Sequence, residues 1–154
     1  MSDEVDAYVK RWAEEYAAES VLHVSGPGGD PLEGADLVVA HSLALAPDWR
    51  AYLRSLAARA RKALVVVARN PQSVGATAAR MLGRGGEVDL GRTATLAPLL
   101  WELGRVREHV YLEVPAALER MPPSVVARTA RDHAFVVDVR PRTPQARRRQ
   151  LRLA

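Results

Sequence analysis

Two apolar runs, set one helix-length apart, constrain this chain more than any other feature. Ala35-Asp-Leu-Val-Val-Ala40 is apolar without interruption after its aspartate, and Ala63-Leu-Val-Val-Val-Ala68 is apolar throughout. An antiparallel strand with one wet face alternates, whereas a parallel strand covered on both faces reads as a continuous run. Between the runs, Pro47-Asp48 opens a helical pattern to about Arg61, with Trp49, Tyr52, Leu53, Leu56 and Ala60 on one face. A strand, a helix and a second strand predict a parallel unit with a right-handed crossover. The later strand, placed at 62–70, closes at Asn70-Pro71.

The flanking segments extend this unit. Asp3 to Glu19 carries Val5, Tyr8, Val9, Trp12, Ala13 and Tyr16 at helical spacing, with Asp3 or Ser2 as N-cap. Ser20 to Ser25 is a short strand that stops at Gly26-Pro-Gly-Gly-Asp30-Pro31. Val74 to Leu82 suggests a short helix, and Gly83 to Gly86 a turn. Thr95 to Leu103 reads as a helix, with Gly104 at its C′ position. His109 to Val114 alternates as a strand, Ser124 to Asp132 suits a helix after Pro122-Pro123, and Ala134 to Val139 is a last strand. The expectation is an α/β fold: a partial doubly wound, mainly parallel sheet with helices on both faces. The last two strands would form an antiparallel edge. Residues 1–141 make one domain, and 142–154 form an arginine-rich tail.

Composition removes several classes of function. At 154 residues the chain can bury a sizeable core. It has no cysteine, which excludes disulfide scaffolds, iron–sulfur sites and thiol catalysis. No apolar run approaches the roughly 20 residues of a membrane helix, and the acidic start lacks a signal-peptide pattern. A cytoplasmic protein with no membrane contact is expected. Net charge is +4, with the basic excess gathered at the end. Arg147, Arg148 and Arg149 are the candidates for nucleic-acid contact. A solvated tail explains them more simply.

Few residues carry chemistry. Gly26, Gly28, Gly29 and Asp30 are candidates for cradling a phosphate or cofactor group through backbone N–H groups, and a plain turn is their simpler account. His41 follows a strand at the carboxyl edge of the sheet, where ligands of open α/β sheets sit, and is a candidate general base. Asn70 ends the next strand at the same edge and is a candidate substrate contact; strand termination is its simpler role. His23, His109 and His133 show no metal-ligand spacing, so no metal site is expected. A P-loop, a complete dinucleotide fingerprint and a nucleophile elbow are absent.

Three segments resemble class I S-adenosylmethionine-dependent methyltransferases. Gly34-Ala-Asp-Leu-Val-Val-Ala-His-Ser-Leu43 is similar to that fold's fourth strand and following loop. Pro47-Asp-Trp-Arg-Ala-Tyr-Leu-Arg-Ser-Leu-Ala57 is similar to the next helix, and Ala60 to Pro71 to the fifth strand and its exit. Thr95 to Pro115 is similar to a later segment of some of these enzymes. The resemblance implies a cofactor held by a glycine-rich loop after the first strand and by an acid ending the second. Here one strand precedes 35–40 where the family has three, a deficit of about 50 residues at one unit per 25–30.

Two alignments remain open. Either 21–25 is the third strand and both cofactor-binding strands are missing, or 25–30 is an eroded glycine loop and the second and third strands are deleted. Under either, the resemblance implies a truncated methyltransferase-like protein, not catalytic alone and binding no cofactor by itself. It would act as a regulatory or scaffolding subunit in a homo-oligomer or beside a second protein. The alternative is an S-adenosylmethionine-dependent transferase whose site is completed by a partner chain or by a remodelled Gly26–Gly29 loop.

Overall fold

A computed structural model of the chain describes residues 3–26, 33–41, 46–73, 77–78, 81 and 95–139. The described residues form five strands: β1 (Val21–Ser25), β2 (Ala35–His41), β3 (Ala60–Arg69), β4 (Gly104–Leu112) and β5 (Asp132–Val139). Among the described residues, four α-helices of seven or more residues accompany them: α1 (Asp3–Glu15), α2 (Trp49–Arg59), α3 (Leu96–Leu103) and α4 (Pro123–Thr129). The strands form one sheet in the order β1-β2-β3-β5-β4. The pairs β1–β2 and β2–β3 are parallel, while β3–β5 and β5–β4 are antiparallel. The sheet is therefore mixed. β4 runs in the direction of β1, β2 and β3, and β5 alone runs against them. The expected antiparallel C-terminal edge is present, with β5 inserted between β3 and β4.

The continuous apolar runs occupy the centre, as their pattern requires. From Leu37 to Ala40 and from Ala63 to Val66 no residue exposes measurable surface. Successive side chains point to opposite faces, so one strand feeds two cores. Val38, Leu64, Val66 and Val137 pack under Trp49, Leu53 and Leu56 of α2 and Leu96 and Leu100 of α3. Leu37, Val39, Ala63, Val65 and Val136 pack under Val5, Val9 and Trp12 of α1. Each fully buried Leu or Val contributes about 1.5–3 kcal/mol. The helices thus cover both faces, as expected. α1 covers a face of its own sheet and does not cap the β1 edge. Its side chains reach β4: the Trp12 indole N–H donates to Glu108 (2.6 Å), and Arg107 lies over the Tyr16 ring at 4.8 Å.

The N-terminal end of the sheet is fastened by Asp36. Its carboxylate accepts from the Glu19 backbone N–H at 3.0 Å and from Arg61 Nε at 2.8 Å. The Arg61 guanidinium holds that carboxyl below its ordinary pKa. Asp48 caps α2 by accepting from the Ala51 N–H at 3.1 Å.

Boundaries shift where helix passes directly into strand. α2 ends at Arg59 and β3 starts at Ala60; α3 ends at Leu103 and β4 starts at Gly104. Gly104 is not a left-handed cap. Its φ is 173°, which is extended backbone. Glycine is required by space instead, since a Cβ there would lie 2.0 Å from the Asp138 carbonyl oxygen. Among the described residues no helix is long and apolar enough to cross a membrane. The arginine tail, with Arg147, Arg148 and Arg149, lies outside the described residues, as do the turn at 83–86 and most of the short helix at 74–82.

Candidate functional site

The parallel strands β1, β2 and β3 end on one side of the sheet, the side where ligands of open α/β sheets bind. β1 is followed by Gly26, with φ 84°, a left-handed conformation that favours glycine. The Gly26 N–H donates to the His41 carbonyl at 3.3 Å. Its own carbonyl accepts from the Tyr52 hydroxyl at 2.7 Å. A core-facing residue of α2 thus anchors the start of the glycine loop. Burial raises the Tyr52 pKa, which keeps the phenol a donor. Gly28, Gly29 and Asp30 lie outside the described residues.

His41 ends β2 on the face that α1 packs against further along the sheet. His23 on β1 shares that face, because the register sets His23 beside Val39 and Ser25 beside His41. The two imidazoles meet diagonally, with His23 Nδ1 and His41 Nε2 3.2 Å apart. Burial lowers the His41 pKa, and the neighbouring His23 lowers it further. Both causes disfavour a second positive charge. At neutral pH His41 is neutral, with its Nε2 within hydrogen-bond distance of the His23 ring.

Asn70 is placed otherwise. Its side chain is 1% exposed. Its amide donates to the carbonyls of Ala127 (2.6 Å) and Ala130 (2.8 Å), and its oxygen accepts from the Gln72 N–H (3.1 Å). Both amide protons are committed to the backbone around the end of α4, so the side chain clamps β3 to that helix and offers no proton to a substrate.

A second imidazole pair is the feature that sequence reasoning missed. His109 on β4 and His133 on β5 approach with Nε2 and Nδ1 3.0 Å apart. They lie on the opposite face of the sheet from His23 and His41. The His109 ring stacks on Phe135 at 4.3 Å, with 4° between the planes, and Tyr111 flanks it at 4.8 Å. Burial, then the neighbouring His109, pushes the His133 pKa down to about 4. The buried His133 Nε2 has no hydrogen-bond partner. The signal was His-Val-Tyr at 109–111 and His-Ala-Phe at 133–135, two period-two aromatic steps that share a face once the strands pair. Among the described residues no group of three or more potential ligands is arranged to hold a metal ion.

Comparison of the sequence with protein-family models finds no match, and comparison with curated proteins finds none either.

Proposed function

We propose that the chain is a methyltransferase-like subunit that does not catalyse alone and works within an assembly. The observation that carries this reading is the outer side of β1. In a doubly wound sheet of order 3-2-1-4-5-6 the first strand lies beside the fourth, and the sheet continues beyond it. The run β1-β2-β3 has the neighbours and directions of 1-4-5 in that order. Beyond β1 there is no further strand among the described residues. The place of a strand ending in a ribose-binding acid is therefore unfilled by the described part of the chain.

Gly26 does not fit the cofactor in its present setting. Its N–H is taken by His41 and its carbonyl by Tyr52. No catalytic step through S-adenosylmethionine is assigned to these residues.

One observation favours the alternative, a transferase completed by a partner chain or a remodelled Gly26–Gly29 loop. β1 sits beside β2, the place of a first strand, which supports reading 25–30 as an altered glycine loop over reading 21–25 as a third strand. The test is calorimetric titration of the isolated chain with S-adenosylmethionine and with S-adenosylhomocysteine. No saturable binding is expected. Binding of one molecule per chain overturns the first reading, and its loss in Gly28→Leu then assigns the loop to the cofactor.

A further inference from the structure

The two edges of the sheet are built differently. β4 carries the protections that natural edge strands use against pairing. It holds Arg105, Arg107 and Glu108, and its pairing slips at a bulge between Val106 and Glu108. Trp12 of α1 bonds to Glu108 at 2.6 Å, and Glu15 lies 3.8 Å from Arg107. β1 has none of this. Val21-Leu-His-Val-Ser25 contains no acidic or basic residue other than its histidine, no proline and no bulge against β2. Val21 is 39% exposed.

The hydrogen-bond phase of β1 specifies what fits there. Ser20 gives its carbonyl to the Leu37 N–H, and Gly26 gives its N–H to the His41 carbonyl. Along a strand these directions alternate, so the even-numbered residues from 20 to 26 face β2. Val21, His23 and Ser25 turn both N–H and C=O outward. Three outward residues centred on His23 form a self-complementary set. If a second β1 is laid antiparallel on a two-fold axis at His23, His23 meets its own copy and Val21 meets Ser25. All three are hydrogen-bonded pairs of the antiparallel ladder. The same register puts Leu22 opposite Val24 on the other face, which continues the apolar row under α2. An isologous contact of this kind closes on itself.

We propose that the β1 edge is a homodimer interface in which two copies pair antiparallel about His23 to make one ten-stranded sheet. The partner is a second copy of this chain. An edge without Asp, Glu, Lys or Arg brings no fixed like charges against its copy, and the outward groups match one for one. The inference rests on the reading of the chain as a member of an assembly. A single five-residue strand pair is small beside the roughly 1,600 Å² of a standard interface, so the dimer should dissociate on dilution.

The absence of cysteine allows a clean test. In a hydrogen-bonded antiparallel pair the Cα atoms lie about 5.5 Å apart, inside the 4.4–6.8 Å that disulfides span. His23→Cys should therefore form a covalent dimer under mild oxidation. Val21→Cys should not, because the two copies of residue 21 lie roughly 14 Å apart along the strands at about 3.4 Å per residue. His23→Pro removes an outward N–H and leaves the β1–β2 ladder intact. It should shift native mass spectra and light scattering from dimer to monomer, with circular dichroism unchanged. A wild-type chain that stays monomeric at high concentration, a dimer that survives His23→Pro, or equal cross-linking at residues 21 and 23 overturns the proposal. A stoichiometric complex with a different polypeptide, by a chain monomeric on its own, also overturns it. The cofactor titration reads only the functional proposal and the cross-link only the edge, so the two fail separately.

Discussion

His23–His41 and His109–His133 join the same two atoms, an Nδ1 and an Nε2, at 3.2 and 3.0 Å. Their settings differ. The first pair sits on adjacent parallel strands beside the exposed β1 edge. The second sits between antiparallel strands on the opposite face, against Phe135 and Tyr111. Solvent supplies the first pair with alternative partners. His133 has none, and its Nε2 is left without a bond. The imidazole pair is a solvent-accessible contact in one place and an acid-sensitive part of the packing in the other, and desolvation decides which.

Acid gives the largest separation between them. An unfolded histidine titrates near 6.5, and His133 in the fold titrates at about 4. Between these values the unfolded chain binds a proton that the folded chain does not. The stability this residue supplies is complete above pH 6.5, falls as pH drops toward 4, and is constant below. The loss should be about 3 kcal/mol at 1.36 kcal/mol per unit. Urea unfolding across that range should show a slope that His133→Phe flattens. An unchanged slope would remove the distinction between the pairs.

A middle-sized effect comes from breaking each pair. His109→Leu leaves His133 with both ring nitrogens unpartnered in a buried site and should cost about 1–3 kcal/mol. His23→Ala removes an exposed partner and should change stability by less than about 0.5 kcal/mol. Equal losses in chemical denaturation would put both pairs in one class. The smallest effect sharpens the exposed pair. His23 is one of the groups that lower the His41 pKa. In His23→Ala the His41 ring resonances should therefore titrate at a higher pH than in the unaltered chain, still below 6.5 because burial remains. A midpoint that stays in place would show that the two rings do not sense one another.

The parts of the fold legible in the sequence were those where burial alone sets the residue. β2 and β3 are unbroken apolar runs because both faces are covered, and α1 and α2 are striped because one face is. β4 was legible only from His109 onward. Its first half, Gly104 to Glu108, is an edge whose charged side chains interrupt the apolar pattern, and the bulge at 106–108 breaks the alternation that marks a strand. The site was less legible than the fold. His41 could be placed at a strand end from its neighbours. Its partner His23 depends on the β1–β2 register, which no local pattern encodes. Asn70 was a candidate because it closes the next strand at the edge His41 occupies, with strand termination its simpler role, and only the packing of α4 reveals where its protons go.

The two joints where a helix becomes a strand without an intervening residue set the chain's tolerance to insertion. Arg59–Ala60 and Leu103–Gly104 hold no slack. One residue spliced into either joint would advance the following strand by half a side-chain period and exchange its two faces, so that in β3 Leu64 and Val66 would turn toward α1 and Ala63 and Val65 toward α2 and α3, breaking the fit of both cores. Tags, permuted termini and grafted loops therefore belong elsewhere in the sequence, and genetic length variation at these two points should be lethal to the fold even when every substituted side chain is harmless.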